Sequence, residues 1–257
     1  MVRKVIRIVV LILCLIVIGY EGFMIYEDQR EYQVAADEYE EIKSIAVTYT
    51  PTPEDEAEIV EYPLLSVNFD KLEKINPDIV AWIYFPCLYI SYPVVKETEI
   101  DEYLYKTFDM QDNKAGCIFE DILSDSEFKG YHDIVFGHNM KDKSMFGKLK
   151  LLYQPENESL LQDDPYVYVY TRDHVFQYRV FAYYITTVGS GAYSVVSNEK
   201  EYGDFIKFIK SHTAYKIPED ADLDSGTSIL TLSTCSGKAG GSKRFVVHTI
   251  KTNSWEK

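Results

Sequence analysis

Cys235 is the residue whose type and position in this chain are best suited to covalent chemistry. It follows residues 228–234, in which Ile and Leu alternate with Thr and Ser, and glycines at 237, 240 and 241 then break the pattern. Such alternation predicts a short strand that ends at the cysteine. A thiolate at a strand end can act as a nucleophile. The alternative interpretation is a buried thiol that packs as a small apolar side chain.

Basic residues cluster just behind this cysteine in a chain whose formal net charge is -15. Lys238, Lys243 and Arg244 follow it within nine positions (244 − 235 = 9). Nearby positive charge favours thiolate over thiol. A histidine, His138, follows a second apolar segment at 133–136, also where a predicted strand meets a turn. We therefore take Cys235, His138 and Arg244 as the candidate catalytic residues.

Four segments carry a family resemblance, and they occur in a fixed order along the chain. They are WIYFPCLYISYPVV at 82–95, GHNMKDKSMFGKL at 137–149, TLSTC at 231–235 and the arginine that opens RFVVHTI. Together they resemble the sortases, the cysteine transpeptidases of Gram-positive cell surfaces, over residues 68–250. The second segment and a long insertion before the last strands are most similar to class B.

The resemblance implies an acyl transfer that proceeds through a thioester on Cys235. The substrates would be secreted proteins with a five-residue sorting signal near the C-terminus, and an amine of the peptidoglycan precursor would accept the acyl group. His138 would transfer protons and Arg244 would stabilise the oxyanion, since a planar guanidinium is a better fixed donor than lysine. Ser233 and Thr234 are candidate substrate-binding residues; Ser233 shares the face of Cys235, and Thr234 points the other way.

Two other functions remain compatible with the same residues. The chain could be a cysteine peptidase that mainly hydrolyses its substrate, or a non-catalytic surface barrel that only binds a peptide. No metal-ligand spacing is present, and GKAGGSK lacks the spacing of a phosphate-binding loop, so we expect no metal or cofactor. The acidic balance argues against nucleic acid as a partner.

The predicted fold is mainly β with peripheral helices. Twenty-two tyrosines and thirteen phenylalanines favour strands, and the resemblance implies a sortase-like closed β-barrel. Strands are predicted within 79–95, 114–121, 133–136, 166–187, 227–234 and 244–251. Helices are predicted at 69–75, capped by Asn68, around 144–153, and around 202–209, capped by Ser197 or Asn198. The four other histidines, His132, His174, His212 and His248, are predicted to be structural or solvated.

The N-terminal region predicts a membrane anchor. Residues 5–18 are almost continuously apolar, and the apolar character continues to residue 26, which gives about 20 residues, enough to cross a bilayer. Arg3, Lys4 and Arg7 precede this stretch, so the N-terminus is predicted to be cytoplasmic and the remainder extracellular. A cleaved signal peptide is the alternative, although no A-x-A-like site follows.

Three regions follow from this pattern: a membrane anchor at 1–26, an acidic extracellular stalk at 27–65 and a catalytic domain at 66–257. Residues 31–44 have helical spacing, and Thr50, Pro51, Thr52 and Pro53 would end that helix. Cys87 and Cys117 are predicted to be free thiols, with a disulfide between them as the alternative.

Overall fold

The computed structural model describes residues 2–49, 65–157, 159–219, 221–224, 226–237 and 241–257. The helices are α1 (Val2–Ala46), α2 (Phe69–Ile75), α3 (Leu160–Asp163) and α4 (Glu199–His212), with 3₁₀ helices at Pro86–Leu88, Gly147–Tyr153, Pro155–Asn157 and Gly191–Tyr193. The strands are β1 (Val47–Tyr49), β2 (Leu65–Val67), β3 (Ile79–Phe85), β4 (Ile90–Lys96), β5 (Ile118–Glu120), β6 (His132–Phe136), β7 (Tyr166–Tyr170), β8 (His174–Thr187), β9 (Ile229–Cys235) and β10 (Lys243–Glu256).

Strands β3 to β10 form a closed barrel in the order β10-β8-β7-β3-β4-β5-β6-β9. The pairs β4 with β5 and β6 with β9 are parallel, and the other neighbours are antiparallel. Each strand of the barrel therefore has a hydrogen-bonded neighbour on both sides, which removes exposed sheet edges. The predicted closed barrel with peripheral helices is confirmed.

Two apolar cores cover the two faces of the barrel wall. Leu230 and Leu232 of β9 belong to the larger core inside the barrel, whereas Ile229 belongs to a second core outside it. Helix α4 supplies Phe205 and Ile209 to that outer core, and its predicted cap is present, since the Asn198 side chain accepts a hydrogen bond from the Glu201 amide. The outer face of β9 is therefore buried like the inner one.

Turns shorten two of the predicted elements at their N-terminal ends. Residues 144–146 lie in a turn before the 3₁₀ helix, because the Phe146 amide donates to the His138 carbonyl and folds the chain back. The predicted strand at 114–121 shortens to β5, because Asn113 accepts bonds from the amides of Ala115 and Gly116 and makes a turn there. Gly116 has φ +58°, a conformation that suits glycine.

Helix α1 is long and apolar enough at its N-terminal end to cross a membrane. None of the apolar stretch of this helix is buried against the rest of the protein, so α1 is either a membrane anchor or a signal sequence. The predicted helix at 31–44 is part of the same continuous helix. The prolines and threonines predicted to end it lie outside the described residues.

The second half of α1 packs against the barrel. Ala35, Tyr39, Ile42 and Ala46 are buried in the main core, and the Tyr39 hydroxyl donates to the Gly116 carbonyl at 2.7 Å. The division of the chain at residues 65 and 66 remains a prediction. A fragment that begins at 66 nevertheless lacks these four buried side chains.

We predict that Ile42→Ala destabilises the barrel. Ile42 is 3% exposed, and truncation of such a side chain costs about 2–5 kcal/mol of unfolding free energy. The melting temperature of the full chain in detergent should fall by about 5 °C or more. Val34→Ala on the exposed side of α1, where Val34 is 54% exposed, should change it little; equal melting temperatures for both variants would show that α1 does not stabilise the barrel.

Candidate active site

The backbone register brings the three candidate catalytic residues to one edge of the barrel. Cys235 pairs directly with Arg244 across β9 and β10. On its other side β9 runs parallel to β6, where Phe136 pairs with Ser233. His138 and Cys235 each lie two residues further along (138 − 136 = 2; 235 − 233 = 2), and residues two apart share a face of a strand. Cys235 therefore lies between His138 and Arg244.

These residues line a cavity of about 500 Å³ on the outer face of the barrel. Its floor includes Phe136 and Ser233. One wall is the segment 188–195 after β8, and the opposite wall comes from loops that include Leu104 and residues 121–124. A cleft with a nucleophile at one end and apolar walls suits an extended peptide.

His138 is fixed by its backbone and by its ring. The Gly137 amide donates to the Ser233 carbonyl at 3.1 Å, which continues the pairing of β6 with β9. The His138 carbonyl accepts a hydrogen bond from the Phe146 amide, and the Nε2–H of the His138 ring donates to the Leu104 carbonyl at 2.5 Å. A Cβ at position 137 would collide with Ile118 and Phe146, so the chain needs glycine immediately before this histidine.

The histidine ring is held in its neutral form. Burial lowers the pKa of His138, and the positive charge of Arg244 lowers it further, although the hydrogen bond to the Leu104 carbonyl acts in the opposite direction. Because Nε2 carries the proton donated to Leu104, Nδ1 is the nitrogen that can accept a proton. A neutral imidazole with a free lone pair is suited to act as a general base.

The guanidinium of Arg244 is anchored by its own turn. Its Nη1 donates to the carbonyls of Gly241 and Lys243 at 2.7 and 3.0 Å, and the Ser236 amide closes the same turn onto Lys243. A guanidinium has five N–H donors. Nε and Nη2 bond to none of the residues that the structure describes, so they are the donors suited to a developing oxyanion. The Lys243 side chain is exposed, and Lys238 lies outside the described residues.

The two residues before the cysteine point in opposite directions. Ser233 is fully buried on the cavity side, and its hydroxyl is 2.9 Å from the Tyr193 hydroxyl. Thr234 pairs with Phe245 and faces the barrel interior, where its side chain is 2% exposed. A role for either residue in substrate binding remains a prediction, and Thr234 could serve only through its backbone in this conformation.

Tyr193 is a cavity residue that the sequence did not identify. It ends the 3₁₀ helix Gly191–Tyr193, and its ring stacks on Phe136 at 6.0 Å. Burial raises the pKa of Tyr193, although the Ser233 hydrogen bond and the charge of Arg244 act in the opposite direction. Tyr193 lines the same cavity as the candidate catalytic residues. In the sequence, Tyr193 stands among glycines and serines at 189–194, a composition that is common in turns and gives no indication of a site.

The other cysteines differ from Cys235 in their surroundings. Cys87 and Cys117 are free thiols, as predicted, and burial raises the pKa of each to about 12. They are therefore poor nucleophiles at neutral pH. Cys14 lies in the apolar part of α1. Among the residues that the structure describes, no group of three or more histidine, cysteine or acidic side chains could hold a metal ion.

Comparisons with known proteins agree with this geometry. The Sortase domain model matches residues 83–252. Sortase B of Listeria monocytogenes is 29% identical over 167 residues, which cover 64% of this chain and 65% of that protein. Sortase B of Staphylococcus aureus is 29% identical over 185 residues, 70% of this chain and 72% of that protein. The chain thus spans just under two thirds of the length of the Listeria relative.

A solved structure shows the same fold. Sortase B from Bacillus anthracis in complex with AAEK1 superposes with a TM-score of 0.70 at 28% identity, covering 86% of this chain and 98% of that one.

We predict that the pKa of His138 lies below 6.5 and rises when Arg244 is replaced by the uncharged Gln, because a repulsive positive charge is then removed. The pKa can be measured from ring proton shifts by NMR. Lys243→Gln, at an exposed side chain next to the same turn, should leave it nearly unchanged. An unshifted pKa in Arg244→Gln would mean that the guanidinium does not act on the ring.

Proposed function

This chain belongs to the sortase family, and on that premise we propose that it is a class B-like cysteine transpeptidase. It would cleave a sorting signal near the C-terminus of secreted proteins and transfer them to an amine of the peptidoglycan precursor. The observation that carries this proposal is the common edge of β6, β9 and β10, which aligns His138, Cys235 and Arg244 at one cavity.

In the first half of the proposed reaction, the Cys235 sulfur attacks the carbonyl carbon of the scissile peptide bond. His138 takes the thiol proton on Nδ1, and its lowered pKa supports a neutral resting ring. The N–H donors of Arg244 that its turn does not use would bind the oxyanion of the tetrahedral intermediate. When the C–N bond breaks, His138 returns the proton to the leaving amine, and a thioester remains on Cys235.

The second half reverses these proton transfers. The acceptor amine attacks the thioester carbonyl, and His138 takes its proton as the new amide bond forms. The C–S bond then breaks, and Cys235 recovers the proton. If water replaces the amine, the same steps give a carboxylic acid, so the balance between transfer and hydrolysis depends on which nucleophile reaches the cavity.

The N-terminal helix suits a membrane-anchored enzyme. Arg3, Lys4 and Arg7 precede its apolar stretch, which favours a cytoplasmic N-terminus and an extracellular barrel. Residues 27–46 continue the same helix to the barrel and rise about 30 Å at 1.5 Å per residue. Because Tyr39 and Ile42 are buried against the barrel, this part of the proposed stalk would be a rigid spacer that holds the cavity near the membrane.

The transfer can be tested with the full chain in detergent and a library of fluorescent peptides with a variable five-residue signal. We predict that triglycine produces a new amide whose mass equals the N-terminal fragment plus the amine, and that Cys235→Ala abolishes it. Cys117→Ala, at a buried thiol, should keep activity. Cleavage at a rate and with products unaffected by amine would indicate a peptidase, and no cleavage of any peptide would indicate a binding barrel.

We predict that Arg244→Lys lowers kcat/KM by about a hundredfold or more, because lysine cannot keep two donors on its turn and still present others to an oxyanion. The control is Lys243→Ala, which removes an exposed charge beside the same turn and should change kcat/KM by less than about twofold. Turnover of Arg244→Lys near the wild-type rate would refute the oxyanion role.

A further inference from the structure

A continuous series of hydrogen bonds runs from beneath the cavity to its lining, which it reaches at His132 and Ser194, and it includes none of the candidate catalytic residues. The Tyr184 hydroxyl contacts His248 Nε2 at 2.9 Å, and His248 Nδ1 contacts the Thr231 hydroxyl at 2.8 Å. The same hydroxyl contacts His132 Nε2 at 2.8 Å, and His132 Nδ1 contacts the Ser194 carbonyl at 2.8 Å. Thr231 and His248 are fully buried, and His132 and Tyr184 are less than one tenth exposed.

The end of this series determines the position of every proton. A carbonyl only accepts, so His132 Nδ1 must donate to Ser194. Burial lowers the pKa of His132 to about 4 and that of His248 well below its usual value, so both rings are neutral. His132 Nε2 then accepts from Thr231, whose oxygen accepts from His248 Nδ1. His248 Nε2 in turn accepts from Tyr184, whose pKa burial raises.

In this arrangement each hydrogen-bond donor of the series has one acceptor. The series of hydrogen bonds runs in one direction, from the Tyr184 hydroxyl to the Ser194 carbonyl, and it joins β8, β10, β9 and β6 to the segment after β8. Ser194 is the only member outside a strand. The four strand residues are therefore fixed by the barrel, and through His132 they hold the Ser194 carbonyl in place.

The segment held in this way is a wall of the cavity. Gly189, Tyr193, Ser194 and Val195 line it, and two of these residues are tied to the barrel by side chains. The Tyr193 hydroxyl bonds to Ser233, and the Ser194 carbonyl bonds to His132. Val195 is 58% exposed, whereas Ala192 and Val196 are buried in the outer core, so the hydrogen bonds of Tyr193 and Ser194 hold the stretch between these two packed residues.

We propose that His132, supported by Thr231 and His248, is a positioning residue that holds the wall at 193–195 in place for the substrate peptide. This inference rests on the proposed function, because the wall is that of the same cavity. His132 would act on peptide binding through the Ser194 carbonyl and would leave the reactivity of the Cys235 thiol unchanged. The wall's conformation and the chemistry at the thiol can therefore be measured separately.

The matched variants are His132→Asn and His132→Gln. The side-chain amide of Asn can donate to Ser194 from the position of Nδ1, whereas that of Gln extends towards Thr231 in place of Nε2. In the full chain in detergent, we expect Gln to increase hydrogen exchange over residues 188–196 at least tenfold, and Asn to leave exchange within about threefold of wild type.

Turnover supplies the second readout, with the peptide selected from the library above. We expect His132→Gln to raise KM at least fivefold with kcat within twofold, and His132→Asn to restore KM. The rate at which iodoacetamide alkylates Cys235 should be equal in all three proteins. Unchanged exchange and KM in His132→Gln would overturn the inference, as would a fall in kcat together with slower alkylation.

A second pair keeps the test decisive if the His132 variants do not fold. Thr231→Val keeps the shape of the side chain but removes the hydroxyl, and Thr231→Ser keeps the hydroxyl. Valine should loosen residues 188–196 and serine should not; equal exchange in both would overturn the inference. Hydrogen exchange needs no turnover, so a wild-type chain without activity would count against the proposed transpeptidase and not against the role of His132.

Discussion

The pairing of β9 with β6 on one side and with β10 on the other is the constraint on which the site depends. Each strand, or the turn directly after it, contributes one side chain. A slip of one residue in any of these strands would turn its side chain to the opposite face and remove it from the cavity. Gly137 secures the parallel side, because its amide bonds to Ser233 and its missing Cβ leaves room for Ile118 and Phe146. The barrel thus positions the chemistry through backbone hydrogen bonds.

The outer face of β9 joins this site to the stability of the fold. Thr231, Ser233 and Cys235 alternate along that face, and the first two are fully buried. Buried polar groups must find partners, and here the partners are His132, His248 and Tyr193. The buried polar groups of β9 are therefore satisfied by its neighbouring strands and by the segment that forms the cavity wall.

The same burial makes the fold sensitive to acid. The folded pKa of His132 is about 4, compared with 6.5 for an ordinary histidine, so between these values the unfolded chain binds a proton that the folded chain does not. The contribution of His132 to stability is therefore fully present above pH 6.5 and is lost as the pH drops towards 4, and His248 contributes in the same direction.

Short-range patterns were sufficient to predict much of this structure. Alternation located β9 and β10, and the cap of α4 was predicted at Ser197 or Asn198. The TLSTC and GHNM segments pointed to Cys235 and His138, which line one cavity. Long-range contacts were not predictable. Tyr39 bonds to a carbonyl 77 positions away, which is why α1 was not expected to pack on the barrel, and Tyr193 approaches Ser233 only because β8 and α4 bring its segment back.

The most direct measurement is a crystal structure of the chain with a signal peptide trapped on Cys235 through a thiol-reactive C-terminal group. The peptide should lie in the cavity on the outer face of β6 and β9, with its terminal carbonyl oxygen within hydrogen-bond distance of the Arg244 guanidinium and with the His138 ring beside the sulfur. A peptide bound outside this cavity, or a carbonyl directed away from Arg244, would contradict a catalytic site formed by the common edge of the three strands.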